Sequence, residues 1–128
     1  MEASSTRVLL VEDQLSYAIL VRRSLRRANG DGERFDVRHA NTLAQGLEQL
    51  RRDRVDVLVH NAGFGVYGPI EEVDAASTER QFAVNLFGPL DLTRRLLPQL
   101  RERKGRIIFV GSLAGRMSMP FQAHYSAT

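Results

Sequence analysis

The sequence contains no cysteine, which excludes disulfides and thiolate metal sites. No apolar run approaches the roughly 20 residues that a membrane-spanning helix needs. The opening MEASSTR lacks the apolar segment of a secretion signal, so the cytoplasm is the expected compartment and no membrane role is expected. Aromatic residues are few, and none stands among the arginine clusters RRSLRR, RRDR, TRR and RERKGR. A single-strand nucleic-acid binder would need such aromatics to stack bases. The net charge of +3 therefore reads as cations placed at the C-terminal halves of helices, where the helix dipole favours them, and no nucleic-acid partner is expected. There is no internal repeat, low-complexity tract or Pro/Ser-rich linker, so residues 1–128 are expected to form one domain around one core.

What is present is an alternation of buried strands and helices. RVLLVED (7–13), VDVLVH (55–60) and GRIIFVGS (105–112) read as short, fully buried strands, while FDVRHA (35–40) alternates and reads as an edge. Between them, Ala18, Val21, Leu25 and Ala28 mark a first helix that Gly30 should stop, before a turn at DGER. Thr42 and Gln45 form a capping box for a second helix striped by Leu43, Leu47 and Leu50. Asp74 should cap a long third helix over 75–103, with Phe82, Leu86, Leu90, Leu97 and Leu100 along it, and Pro89 and Pro98 should bend or interrupt it. The order β-α-β-α-β-α-β predicts an α/β three-layer sandwich of the flavodoxin-like or Rossmann-like kind. Its sheet should be parallel, with four strands in the order 2-1-3-4. Ligands of such sheets bind beyond the carboxyl ends of the strands. Here those ends are VEDQ, RHAN, VHNAG and VGSLAG.

Two resemblances meet in this chain. RVLLVEDQ, VRRSLRRANG and NTLAQGLEQLRRDRVDVLV, over residues 7–59, resemble the receiver domain of bacterial response regulators. That resemblance implies a Mg²⁺ ion held by Glu12 and Asp13, since carboxylates suit a hard, hydrated cation. It also implies a phosphorylated aspartate where Asn61 stands, and an amide cannot form the acyl phosphate.

From about residue 55 to residue 128 the chain resembles the short-chain dehydrogenase/reductase family. DVLVHNAGFGVYGPIEEV is similar to that family's Asn-Asn-Ala-Gly strand and loop, with His60 in place of the first Asn. FAVNLFGPLDLTRRLLPQL resembles the helix that carries its catalytic asparagine, here Asn85. GRIIFVGSLAG resembles the strand ending in its catalytic serine, here Ser112, and HYSAT the start of its Tyr-x-x-x-Lys motif, with Tyr125 thirteen residues after Ser112. The resemblance implies NAD(P) as cofactor, bordered by Asn61, Ala62 and Gly63. It implies a tyrosine that donates a proton to the carbonyl oxygen, a serine that holds the same oxygen, and an asparagine that orients a relay water.

The departures shape the expectation. The motif's lysine position directly follows Thr128, where the sequence ends. VEDQLSYA stands where the family has a glycine-rich first turn, and it contains no glycine for the close approach of a pyrophosphate. The expectation is therefore a non-catalytic, recombined domain with a seam near 55–61 and no tightly bound cofactor. The alternatives are a residual NAD(P)-dependent short-chain dehydrogenase/reductase and a degenerate receiver acting by protein contacts. His39, His60 and His124 lack metal-type spacing and read as strand-edge and loop residues. Met117, Met119, Pro120 and Phe121 read as an apolar patch, with a substrate mouth as the other reading. The fourth strand should be an exposed edge, and with the long helix it favours a homo-oligomer.

Overall fold

A computed structural model describes residues 5–28 and 34–128. Gly30 and residues 31–33 of the DGER turn lie outside the described residues. The elements are β1 (Ser5–Val11), α1 (Leu15–Arg27), β2 (Arg34–Ala40), α2 (Leu43–Arg52), β3 (Val57–His60), α3 (Ala75–Phe82), a π-helical turn (Ala83–Phe87), α4 (Gly88–Glu102), β4 (Arg106–Phe109), a 3₁₀ turn (Leu113–Gly115) and α5 (Ala123–Ser126). All four strands are parallel, in the expected order β2-β1-β3-β4. Val8 of β1 lies opposite Val37 of β2 and Val57 of β3, and Val57 lies opposite Arg106 of β4.

The two-residue period of the strands divides the core between the sheet's faces. Leu9, Leu58 and Ala40 face one way and pack with Leu92, Leu96 and Leu100 of α4 and Leu47 and Leu50 of α2. Val8, Leu10 and Val59 face the other way and pack with Ala18, Val21 and Leu25 of α1. Helices thus cover both faces, as the alternating sequence requires. β2 alternates exposed and half-buried residues, as an edge strand should. β4 is the opposite edge, and Ile108, Phe109 and Val110 at its end are 46%, 54% and 55% exposed.

Both expected helix caps form. Thr42 accepts a hydrogen bond from the Gln45 amide at 3.1 Å, but the Gln45 side chain accepts from the Asn41 amide rather than from that of Thr42. Asp74 accepts from the Ser77 amide at 2.8 Å.

The long third helix is interrupted at Pro89, as its prolines suggested, but its buried stripe differs from expectation. It is broken into α3 and α4 by the π turn, in which the Gly88 amide reaches back to the Ala83 carbonyl. Pro89 supplies the reason. It has no N–H to offer the carbonyl four residues back, that of Asn85, and its ring crowds that carbonyl. A wider turn relieves the crowding by inserting one residue. The insertion rotates the buried stripe, so the core takes Leu92, Leu96 and Leu100, and Leu90 is left 44% exposed. Pro98 lies inside α4 without ending it.

Asp56 ties the amino ends of the strands together. Its carboxylate accepts from the Arg7 amide at 3.0 Å, from Arg7 Nε at 3.1 Å and from Arg103 Nε at 2.8 Å. Partial burial raises this carboxyl's pKa, but the Arg7 amide and the two guanidiniums outweigh that and hold it below the ordinary range.

The turn from α4 into β4 closes by a Schellman motif. The Gly105 amide bonds to the Leu100 carbonyl at 2.7 Å, and the Lys104 amide to the Arg101 carbonyl at 3.2 Å. Lys104 sits at φ 54° in the left-handed region. A Cβ on Gly105 would stand 2.6 Å from Leu100 Cδ2 and 2.7 Å from the Asp56 carbonyl oxygen. The two neighbours should respond with opposite sign. Lys104→Gly should raise stability by up to about 1 kcal/mol by relieving the left-handed strain. Gly105→Ala should lower it by about 1–3 kcal/mol through overpacking. Urea midpoints of the two variants against the parent check both.

Candidate functional site

The carboxyl ends of the four strands lie along one edge of the sheet, and the loops that leave them build the site. β3 ends at His60, after which Asn61, Ala62 and Gly63 turn outward. The amides of Asn61 and Ala62 both donate to the Val11 carbonyl at 2.9 Å, which fixes the loop to the end of β1. β4 runs on through Val110, whose amide donates to the His60 carbonyl at 2.9 Å, and brings Ser112 to the same edge.

Asn85, in the π turn, reaches across to the β3 loop. Its side chain accepts from the Phe64 amide at 3.1 Å and donates to the Phe64 carbonyl at 2.8 Å. The same Nδ2 donates to Thr128 Oγ1 at 3.0 Å, and that hydroxyl donates to the Tyr125 carbonyl at 3.0 Å. One amide thus joins the loop after β3 to the segment carrying Tyr125. The Tyr125 ring meets the Tyr67 ring edge-on, with centroids 5.8 Å apart, and the Gly68 amide bonds to the Phe121 carbonyl at 3.0 Å.

The result is an open cleft of about 460 Å³. Its walls include Asn61, Ala62, Gly63, Asn85, Ser112 and Tyr125. All six residues singled out in the reductase-like stretch therefore converge on one cavity. Ser112 is exposed, and its Oγ accepts from the Ala114 amide at 3.2 Å while capping the 3₁₀ turn. That leaves the hydroxyl proton to be donated elsewhere.

The acidic pair after β1 behaves differently from expectation. Glu12 is buried, and its two oxygens accept from the Gln14 amide at 2.7 Å and from Asn61 Nδ2. Burial is the main cause that raises its pKa above the ordinary carboxylate value. Asp13 is exposed and lines a second cleft. Among the described residues, no three His, Asp or Glu groups converge as a cation site. A hard cation needs several oxygen ligands, so the structure does not support the Mg²⁺ expectation.

The second cleft, about 320 Å³, lies between the ends of β1, β2 and β3 and the start of α4. Val11, Leu43, Ala62, Pro89 and Leu92 give it apolar walls, and His60 lies at its base. His60 is buried, as the apolar run 55–60 implied, and is not the strand-edge or loop residue expected of the scattered histidines. It is 4% exposed, bonds through Nε2 to Thr93 Oγ1 at 2.9 Å and stacks on Phe109 with centroids 4.7 Å apart. Gln81 was also missed. It is fully buried, and its Oε1 accepts from the Val66 amide at 2.5 Å. Its place four residues before Asn85, on the same helical face, was the available signal.

The profile of the short chain dehydrogenase family matches residues 4–128. The chain belongs to that family. It is 35% identical over 96 residues to 3-ketodihydrosphingosine reductase of Bacteroides thetaiotaomicron, an alignment covering 73% of this chain and 36% of that protein. It is 36% identical over 95 residues to human 17-beta-hydroxysteroid dehydrogenase type 1, covering 73% of this chain and 29% of that one. The chain thus spans about a third of the length of these curated relatives. Among solved structures, BdcA in complex with NADPH superposes with a TM-score of 0.71 at 26% identity, over 98% of this chain and 59% of that one. A short-chain dehydrogenase/reductase from Serratia marcescens shares the fold, with a TM-score of 0.72 at 21% identity over 95% of this chain and 65% of that one.

These matches correct two expectations. The family match spans the 55–61 stretch and takes in the amino-terminal half, so one family accounts for the chain and nothing in the match supports a receiver half or a chimera. The receiver resemblance rested on strand and helix order and on an acidic pair, and parallel βαβ units of many families share such order. The expectation of a non-catalytic domain is overturned as well, because the relatives named are a reductase and a dehydrogenase and one structural neighbour is bound to NADPH. Among the described residues, no helix is long and apolar enough to cross a membrane.

His60 yields a pH prediction. Burial pushes its pKa from 6.5 down to about 4, so the folded state holds it neutral. The unfolded chain binds this proton more readily, and stability must fall as pH drops below the unfolded value. The contribution should be complete above pH 6.5 and lost towards pH 4. It should total about 3 kcal/mol. Urea midpoints between about pH 7 and pH 4.5 should show this slope in the parent and a shallower one in His60→Asn.

Proposed function

We propose that this chain carries the carbonyl-binding part of an NAD(P)-dependent oxidoreductase that interconverts a carbonyl compound and its alcohol. The observation that carries the reading is the convergence of Ser112, Tyr125, Asn85 and the Asn61–Gly63 loop on one cleft. A nicotinamide dinucleotide, when bound, supplies or takes up the hydride. The cleft fits the nicotinamide end of such a cofactor. It offers the side-chain amide of Asn61 and the glycine backbone at Gly111, where a flat ring can approach closely.

In the reduction direction the Tyr125 hydroxyl gives its proton to the substrate's carbonyl oxygen. The Ser112 hydroxyl donates to the same oxygen, its own acceptor side being turned to the Ala114 amide. Asn85 acts as a positioning residue, holding the Phe64 backbone and Thr128 so that the cleft keeps its shape. Gln81 supports the same loop from below through Val66.

The rim of the site supports an apolar substrate. Tyr67, Met117, Met119 and Phe121 are each more than half exposed, and Tyr67 touches Tyr125 directly. The relatives named above are, by their names, a 3-ketodihydrosphingosine reductase and a 17-beta-hydroxysteroid dehydrogenase. We also propose self-association through the exposed β4 edge, which Ile108, Phe109 and Val110 support.

Carbonyl reduction followed by NADPH absorbance tests the main reading. Tyr125→Phe should lower turnover by about 10²–10⁴-fold while nucleotide binding is kept. Unchanged turnover in Tyr125→Phe would sink the assignment. Sedimentation of Ile108→Lys against the parent tests the association, with the variant expected to be the smaller species.

A further inference from the structure

The cleft suits one end of a dinucleotide, but the turn after β1 opposes the other. This turn leads into the amino terminus of α1, where unpaired main-chain N–H groups would meet a phosphate. Here the nearest of them is taken. Glu12 folds its carboxylate back onto the Gln14 amide at 2.7 Å and holds Asn61 Nδ2 with its other oxygen. The backbone of Glu12 is pinned on both sides, its amide donating to the Ala40 carbonyl at 3.0 Å and its carbonyl oxygen lying 2.7 Å from His39 Nε2. The side chain is 2% exposed, so solvent screens its charge poorly. No glycine lies between Glu12 and Ala28, so nothing lets an anion approach the backbone around the carboxylate.

We infer that Glu12 is a built-in occupant of the anion position at the end of β1. Its carboxylate accepts the donors that a cofactor phosphate would use and sets a low affinity for the dinucleotide. The inference rests on the cofactor reading above and adds to it a residue that determines affinity without touching the reacting atoms. It also gives Asn61 a second role. The side chain that borders the cleft is held by Glu12, so displacing the carboxylate releases Asn61 as well as the Gln14 amide.

The probe is NADPH, titrated into the whole chain and followed by nucleotide fluorescence at neutral pH and fixed ionic strength. Glu12→Gln keeps the size and an acceptor for the Gln14 amide but removes the charge. It should tighten binding at least about tenfold. Asp13→Asn removes the neighbouring, exposed charge and should change the Kd by less than about threefold. If the parent binds and Glu12→Gln binds equally or more weakly, the inference fails and the proposed function stands. A gain from Asp13→Asn as large as that from Glu12→Gln also overturns it, since the effect would then be diffuse charge. Absence of saturable binding in the parent and in Glu12→Gln, both shown folded by cooperative unfolding, removes the inference and the cofactor reading together.

Discussion

The site depends on how the chain passes Pro89. A proline at that position withholds the N–H that an α-helix would offer the Asn85 carbonyl, and the backbone answers with a π turn from Ala83 to Phe87. The wide turn presents Asn85 to the loop after β3. There its single amide group satisfies both backbone groups of Phe64 and reaches Thr128. A loop of this kind would otherwise leave buried amides and carbonyls unpaired, which costs more than a typical hydrogen bond contributes. The same turn also places Leu92, Leu96 and Leu100 against Leu9 and Leu58. One backbone irregularity therefore sets both the shape of the cleft and the packing of the helix behind it.

Strand and helix order could be read from the sequence because it follows from hydrophobic period, which is local. β1 and β3 are continuous apolar runs because both faces of the sheet are covered, and β2 alternates because it is an edge. The caps at Thr42 and Asp74 were equally local. What could not be read is whatever depends on a partner far away in sequence. Pro89 announced an interruption of the third helix but not its kind, and the extra residue of the π turn moved the buried stripe onto Leu92 and Leu96. Gln81 is buried through its bond to Val66, fifteen residues away, which no local pattern shows. His60 looked like a strand-end residue until Thr93 and Phe109 closed over it.

The site residues were legible for another reason. Ser112, Tyr125 and Asn85 lie far apart in sequence, and no pattern of charge or period joins them. Resemblance to a family singled them out, and the fold then brought them to one edge of the sheet. The receiver resemblance failed where the evidence was only local. A Glu-Asp pair after a buried strand says little about a metal, because a strand end can turn one acid inward and the other out. That is what happens here, with Glu12 buried against Asn61 and Asp13 exposed.

The two ends of the site are thus built on opposite principles. At the ends of β3 and β4 the chain presents amides and hydroxyls, neutral groups that can serve a carbonyl oxygen and a nicotinamide alike. At the end of β1 it presents a buried carboxylate that already holds the main-chain donor at the start of α1. Asn61 belongs to both, since it walls the cleft and donates to Glu12. An anion approaching from the β1 side would have to displace the carboxylate from two hydrogen bonds, and protonating Glu12 would remove the charge without breaking its contact to the Gln14 amide. Burial already moves the carboxyl towards that protonated form. The end of β1 and the cleft at the ends of β3 and β4 therefore share one side chain, that of Asn61.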